Sequence, residues 1–272
     1  MYRSLRWALR LVALFALLPL GIVLLALAGC QSALIYPARR YDPVMWQRLP
    51  PAVQPLRYRT AEGEQVSFWV GPRAPRRVWM LFNGNGGFAL QWLDLLPLVH
   101  DPEAGFLLFE YPGYGFSEGS CSPARIRAAS EAAVAALAAH LGWERAALEQ
   151  RLALFGHSLG AAAALEYAAR HPVQRIVLVA PFTTLVEMGH HLFVWPLGYL
   201  IWHRFDNGAR LAEIAAQQPR PSVRIIHGSD DQLVPPAMSA ELAAAHPGWI
   251  ERLEIPGADH DLVVVDALRL LP

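Results

Sequence analysis

The segment RLALFGHSLGAAAALEYAARHP, residues 151–172, limits the possible fold more than any other stretch of the chain. A short apolar run meets a serine between two glycines and passes at once into an alanine-rich stretch. The run is short enough for a buried strand, whereas AAAALEYAAR is made of strong helix formers. Strand, tight turn and helix in direct succession make half of a βαβ unit, which needs parallel neighbours. Further runs supply them: QVSFWV (65–70), RVWMLF (77–82), GFLLFEY (105–111), RIVLVA (175–180), VRIIHG (223–228) and IERLEI (250–255). Several are apolar on both faces, as the interior of a parallel sheet requires. Residues 123–140, 159–171 and 235–246 read as the helices between strands. The alternation predicts an α/β fold with a mostly parallel, doubly wound sheet. A chain of 272 residues suffices for one such domain with a large core.

Composition removes several classes of function. Hydrophobic residues make up 54% and charged residues 17%, which excludes a disordered chain and leaves an apolar surplus beyond the sheet. A net charge of zero offers no electrostatic footprint for nucleic acid. Every basic residue is arginine, so Ser–Lys dyads, Schiff bases and a P-loop lysine are excluded. No spaced His/Cys/Asp set suggests a metal, and no glycine-rich loop suggests a nucleotide cofactor.

The apolar surplus is concentrated at the start. Arg3, Arg6 and Arg10 precede residues 11–29, which carry no charge. A basic start and an apolar run mark an export signal or a membrane anchor, and the run is close to the roughly 20 residues that span a bilayer. LAGC (27–30) resembles a bacterial lipobox. That resemblance implies lipid on Cys30, loss of residues 1–29, and a lipoprotein of the bacterial envelope facing the periplasm. An uncleaved anchor and an ordinary cleaved signal stay open beside it. With Cys30 acylated, Cys121 would have no partner for an intramolecular disulfide. Residues 30–55 hold Pro37, Pro43, Pro50, Pro51 and Pro55 and read as a tether, with the folded domain over 56–272.

The serine at the strand–helix junction fits G-x-S-x-G in GHSLG (156–160). A polar residue in a tight turn is the plain reading. The chemical one is a nucleophile on a strained elbow, where small neighbours let strand and helix approach. A hydroxyl nucleophile needs a base, and the base an orienting group. Asp230 and Asp231 follow the strand at 223–228, and His260 follows the last one. Both places fall on the carboxyl side of the sheet, where sites of open α/β sheets lie. Asp206 fits a structural role better, and the other nine histidines have ordinary positions in turns, helix ends or the segment 181–207.

Taken together, LFNGNGG (81–87), FEYPGYGFSEG (109–119), GHSLG, FDN (205–207), HGSDDQLVP (227–235) and GADHDLV (257–263) resemble the α/β-hydrolase superfamily over roughly residues 55–272. The nearest resemblance is to its membrane-associated BEM46-like and ABHD-like serine hydrolases. It implies the α/β-hydrolase fold, a triad of Ser158, Asp231 (rather than Asp230) and His260, and no cofactor. It also implies an oxyanion hole from the Leu159 and Asn85 backbone N–H groups, although Asn83-Gly84 stands where relatives carry His-Gly. The implied reaction is hydrolysis of an acyl ester or thioester. A peptidase of the same fold and an inactive binding domain remain as alternatives. Residues 181–207 read as a short helical cap whose Phe193, Trp195, Leu197 and Trp202 would line an apolar acyl pocket or lie against a membrane. The partners implied are an acyl-bearing small molecule or lipid and a membrane, with no nucleic acid.

Overall fold

The structure is a computed structural model that describes residues 31–192 and 197–271, together with Phe15, Leu18, Gly21, Ile22 and Gly29, and at Leu197 the backbone alone. Cys30, Phe193, Trp195 and most of the leader lie outside the described residues.

Two short helices, α1 (Gln31–Ile35) and α2 (Val44–Gln47), precede the sheet. The first half then runs β1 (Gln54–Thr60), β2 (Gly63–Val70), β3 (Arg77–Phe82), 3-10 turns at Ala89–Asp94 and Leu96–Leu98, β4 (Ala104–Leu108), α3 (Pro123–Leu141) and α4 (Arg145–Glu149). The second half runs β5 (Leu152–His157), α5 (Leu159–Ala168), β6 (Arg175–Val179), α6 (Leu185–Leu192), a 3-10 turn at Leu197–Leu200 and α7 (Asn207–Ala215). It closes with β7 (Ser222–Gly228), α8 (Pro236–Ala244), β8 (Ile250–Ile255) and α9 (Leu262–Arg269). The eight strands lie in the order β1-β2-β4-β3-β5-β6-β7-β8. Pairing is antiparallel at β1–β2 and β2–β4 and parallel from β4 to β8. This is the mostly parallel, doubly wound sheet expected from the alternation of strands and helices.

Alternate residues of the central strands face two separate cores. Val78, Met80, Leu154, Ile176 and Leu178 pack with Ile126, Ala133 and Leu165 of α3 and α5. Trp79, Leu81, Phe155, Val177 and Val179 pack with Trp92 and with Val263 and Leu268 of α9. Burial on both faces explains the unbroken apolar runs, since each fully buried side chain of this size contributes roughly 1.5–3 kcal/mol. The edge strand β1 reads poorly in sequence because only Leu56 and Tyr58 turn inward, alternating with the exposed Arg57 and Arg59. Its Pro55 is tolerated because an edge strand needs fewer ladder bonds.

Two sequence expectations differ from the structure. The tether expected over residues 30–55 is anchored at a few points, with Gln31, Tyr36 and Val53 buried and most of its other described residues exposed, and β1 begins at Gln54. Tyr36 is buried, the Tyr41 hydroxyl accepts from Leu90 N–H at 3.0 Å, and Arg57 stacks over the Trp46 ring at 4.3 Å. Prolines here interrupt regular structure without removing aromatic surface to bury. The sequence also leaves the helices α7 and α9 unmarked, because each is short and follows a loop that carries its own polar motif. Among the described residues no helix is long and apolar enough to cross a membrane.

Candidate active site

The geometry starts at the carboxyl end of β5. Ser158 has φ 54° and ψ −117°, a left-handed conformation that side chains rarely adopt. Such a residue costs about 1–3 kcal/mol and persists only where its surroundings hold it. Here the Ser158 N–H donates to the Val179 carbonyl at 2.8 Å, and α5 starts at the next residue. A Cβ at Gly160 would collide with the Phe82 carbonyl, and one at Gly156 with the Gly160 carbonyl. Both glycines are therefore what allow the helix to start against the ends of β3 and β5. Leu159 is the first residue of α5, where N–H groups lack intrahelical partners and the helix dipole favours negative charge.

The acid and base come from the two following strands. Asp231 lies past β7 with its side chain fully buried, and His260 lies past β8. His260 Nδ1 stands 2.7 Å from Asp231 Oδ2. The other oxygen, Oδ1, accepts from Leu233 N–H at 2.9 Å and Val234 N–H at 2.8 Å. His227 Nε2 lies 3.2 Å from Asp231 Oδ2 and 3.0 Å from the Val234 carbonyl, two acceptors that require the proton on Nε2. Burial alone would raise the Asp231 carboxyl. Hydrogen bonds from His227, His260 and Val234 outweigh it and hold the group well below the usual carboxylate range. Gly228 permits close approach of the two loops, because a Cβ there would strike the Ala258 carbonyl. By contrast Asp230 is exposed and takes the Ser229 hydroxyl at 2.7 Å, and Asp206 caps α7 through Ala209 N–H at 2.8 Å.

The glycine-rich loop after β3 completes the arrangement. Gly84 lies against the His157 ring and Ser158 Cβ. Successive carbonyls of the loop are bonded: Asn83 to the Tyr111 hydroxyl at 2.7 Å, Gly84 to Gly87 N–H at 3.1 Å and Asn85 to the Tyr114 hydroxyl at 2.7 Å. The peptide planes beside Ser158 are thus set by two tyrosines of FEYPGYG. Ser158, His260 and Asn85 line one cavity of about 780 Å³. Ser158, Leu159 and Asn85 also border a second, apolar one of about 150 Å³. An arrangement with a hydroxyl, an imidazole oriented by a carboxylate and N–H groups at a helix start can carry out acyl transfer. Among the described residues no group of three or more His, Cys, Asp or Glu could hold a metal ion.

Residues 80–201 match the family model described as alpha/beta hydrolase fold. The Mycobacterium tuberculosis protein Rv2307c is 29% identical over 273 residues, covering 96% of this chain and 94% of that one. An alpha-beta hydrolase from Vibrio vulnificus superposes with a TM-score of 0.66 at 13% identity, over 89% of this chain and 87% of that one. The Pyrococcus furiosus esterase Pf2001 superposes with a TM-score of 0.62 at 15% identity, over 84% and 90%. The chain has the α/β-hydrolase fold. Within that fold Ser158, Asp231 and His260 occupy loops at the carboxyl ends of β5, β7 and β8.

Two residues of this site are not marked by the sequence. His157 shares the cavity, donates from Nε2 to the His260 carbonyl at 2.9 Å, and sets its ring 4.7 Å from the His260 ring. Burial and the neighbouring His260 push its pKa down to about 3, so it is neutral beside the His260 ring. His227 supports Asp231 from below, and its only signal in sequence is a histidine four positions before the acid. Of the two places expected for Trp202, an acyl pocket or a membrane face, the pocket is not where it lies. Trp202 is 67% exposed and lines neither cavity, whereas Ile201 lines the apolar one. The reason is a clamp: Gln31 Oε1 accepts from Trp202 N–H and Gln31 Nε2 donates to the Leu200 carbonyl, each at 2.6 Å. That clamp sets which of the two neighbouring side chains faces inward.

Proposed function

We propose that this protein is a serine hydrolase of acyl esters or thioesters. The observation that carries the reading is Ser158 on its strained elbow, sharing a cavity with a His260 whose Nδ1 is 2.7 Å from a buried Asp231. Ser158 Oγ attacks the acyl carbonyl carbon and its proton passes to His260 Nε2. The Leu159 and Asn85 N–H groups hold the oxyanion, an interaction for which one lost donor typically costs about 10²–10³ in rate. The bond from carbon to the alcohol or thiol then breaks, and the leaving group takes the proton from His260. Water, deprotonated by His260, attacks the acyl-enzyme and returns Ser158. Asp231 keeps the proton on Nδ1 so that Nε2 can act as base, and the cycle needs no cofactor.

Esters and thioesters fit better than peptides because the space on one side of Ser158 is an apolar slot rather than a groove with groups for a peptide backbone. The esterase from Pyrococcus furiosus among the structural neighbours supports the same class. In this reading lipid on Cys30 holds the enzyme at the bacterial envelope, facing the periplasm, with two or three acyl chains for a firm anchor. The intact mass of fluorophosphonate-treated protein tests both statements. One adduct per chain, absent in Ser158→Ala, is expected on a mature chain that starts at an acylated Cys30. An adduct on another serine overturns the nucleophile. A chain starting at Met1 overturns the lipid anchor and makes residues 11–29 the membrane segment.

A further inference from the structure

Ser158 stands between two spaces of opposite character. The larger, about 780 Å³, is bordered by His260, Asp230, Asp261 and Gln91. The smaller, about 150 Å³, is bordered by Leu159, Phe182, Met188 and Val234. Asn85, Ser158 and Leu233 lie on the border of both. The smaller space has walls from distant parts of the chain: Leu34 and Ile35 of α1 on one side, Gly189 and Leu192 of α6 on the other. α1 is fastened to the cap there. Gln31 is only 7% exposed, and both functions of its amide are used by the backbone at Leu200 and Trp202. Ser32 Oγ meets His203 Nε2 at 3.1 Å, and the Tyr36 ring stands edge-on to His203 at 5.4 Å. A buried amide is costly unless paired, so α1 has a defined seat against the cap.

We propose that the small slot holds the acyl chain of the substrate and that α1 is its wall, so that the segment directly after Cys30 sets acyl length. The assignment rests on the serine-hydrolase reading and deepens it. The leaving group must receive a proton from His260, and His260 borders the large space but not the slot. The leaving group therefore departs through the large space, and the acyl chain extends the other way. The slot wall is almost wholly apolar, and burial there removes methylenes from water. Its size bounds the chain. The slot is about half the lower bound of roughly 300 Å³ for sites that bury a drug-sized ligand. At about 30 Å³ for each water-sized unit it takes roughly five. Longer chains leave through the open end, where Leu34 and Leu192 are 58% and 49% exposed.

The test is kcat/KM of the full chain in detergent micelles for p-nitrophenyl esters from acetyl to dodecanoyl. The expected profile rises about fourfold per methylene, the fold-change equivalent to ~0.8 kcal/mol, through about hexanoyl, and then flattens. Ile35→Trp fills the slot and should lower the hexanoyl-to-acetyl ratio by at least tenfold. Gln31→Ala releases the wall and should lower the same ratio by a smaller factor. The rate of covalent inactivation by ethyl and by hexyl fluorophosphonates reads the slot without turnover, and Ile35→Trp should remove the advantage of hexyl. An unchanged ratio in Ile35→Trp by both readouts overturns the slot while Ser158 labelling keeps the hydrolase reading intact. Absence of labelling at Ser158 in the wild-type chain overturns both.

Discussion

The floor of the site and the cap above it are held together by different means. The floor is made of backbone in close contact: α5 abuts β3 and β5 at Gly156 and Gly160, and the loop bearing His260 abuts β7 at Gly228. Its acid, Asp231, is buried and bonded through both oxygens. The cap is an excursion closed at its base by the bridge between Thr184 and Asp206, by Leu185 N–H donating to the Phe205 carbonyl at 3.0 Å, and by Asn207, whose backbone N–H and side-chain amide donate to the Thr183 and Phe182 carbonyls at 2.9 and 2.7 Å. It meets α1 through Gln31 and leaves Leu192, Tyr199 and Trp202 exposed. Bond-making chemistry needs reacting groups held to about 0.5 Å, whereas selecting an acyl chain needs only apolar wall. The tight half suits the first task and the looser half the second.

The largest effect should come from breaking the floor at its acid. Asp231→Asn should lower kcat/KM for a short ester by about 10⁴, because the imidazole loses the partner that fixes its tautomer. Asp230→Asn, at an exposed carboxylate, should cost less than about tenfold, a modest change expected for a surface site. A larger loss at Asp230 would invert the assignment of the acid.

Next comes a contrast between two glycines, read by urea unfolding. Gly160→Ala puts a methyl into the Phe82 carbonyl, which is backbone and cannot move aside. It should destabilise by more than about 4 kcal/mol, the range reserved for such forced clashes. Gly189→Ala in α6 meets first the flexible end of Ile201 and then the Gly198 Cα. Helix propensity returns about 1 kcal/mol there, so the net change should stay within about 1 kcal/mol. Equal losses at both positions would mean that the cap is as rigid as the floor.

A smaller effect marks the place where the N-terminal segment meets the floor. Glu110 is fully buried, and both its oxygens lie 3.3 Å from Ala89 N–H. Burial raises its pKa from 4.5 to about 8, although hydrogen bonds from Tyr41, Ala89 and Tyr111 oppose the rise. Between these two values the folded state keeps a proton that the unfolded state has lost. Stability contributed by the protonated group should therefore fall as pH rises through that window, by a few kcal/mol at most. Glu110→Gln should flatten the dependence. Urea midpoints at both ends of the window give the slope, and an unaltered slope in the variant would assign it to other groups.

Much of the floor is legible in sequence because its signals are local. Burial on both faces makes β3, β5 and β6 continuous apolar runs, and the elbow needs small residues on either side of Ser158 within five positions. The loops after β3 and β7 are short and follow strands directly, so strand order places them. What is not legible depends on long-range contact. β1 is hidden by arginines on its open face. The packing of residues 31–53 is hidden by prolines that read as a tether. His157 and His227 look like incidental residues until the ends of three strands are brought together.

Periodicity and spacing within single loops are enough to give the α/β alternation, the parallel interior of the sheet and the candidate nucleophile, acid and base. That Ile201 rather than Trp202 lines the slot, with Leu34 and Ile35 of α1 beside it, depends on the folded chain. Both outcomes turn on Gln31, whose amide bonds to backbone about 170 residues further along the chain. No local pattern encodes such a contact, because its two sides become neighbours only after the sheet has placed them.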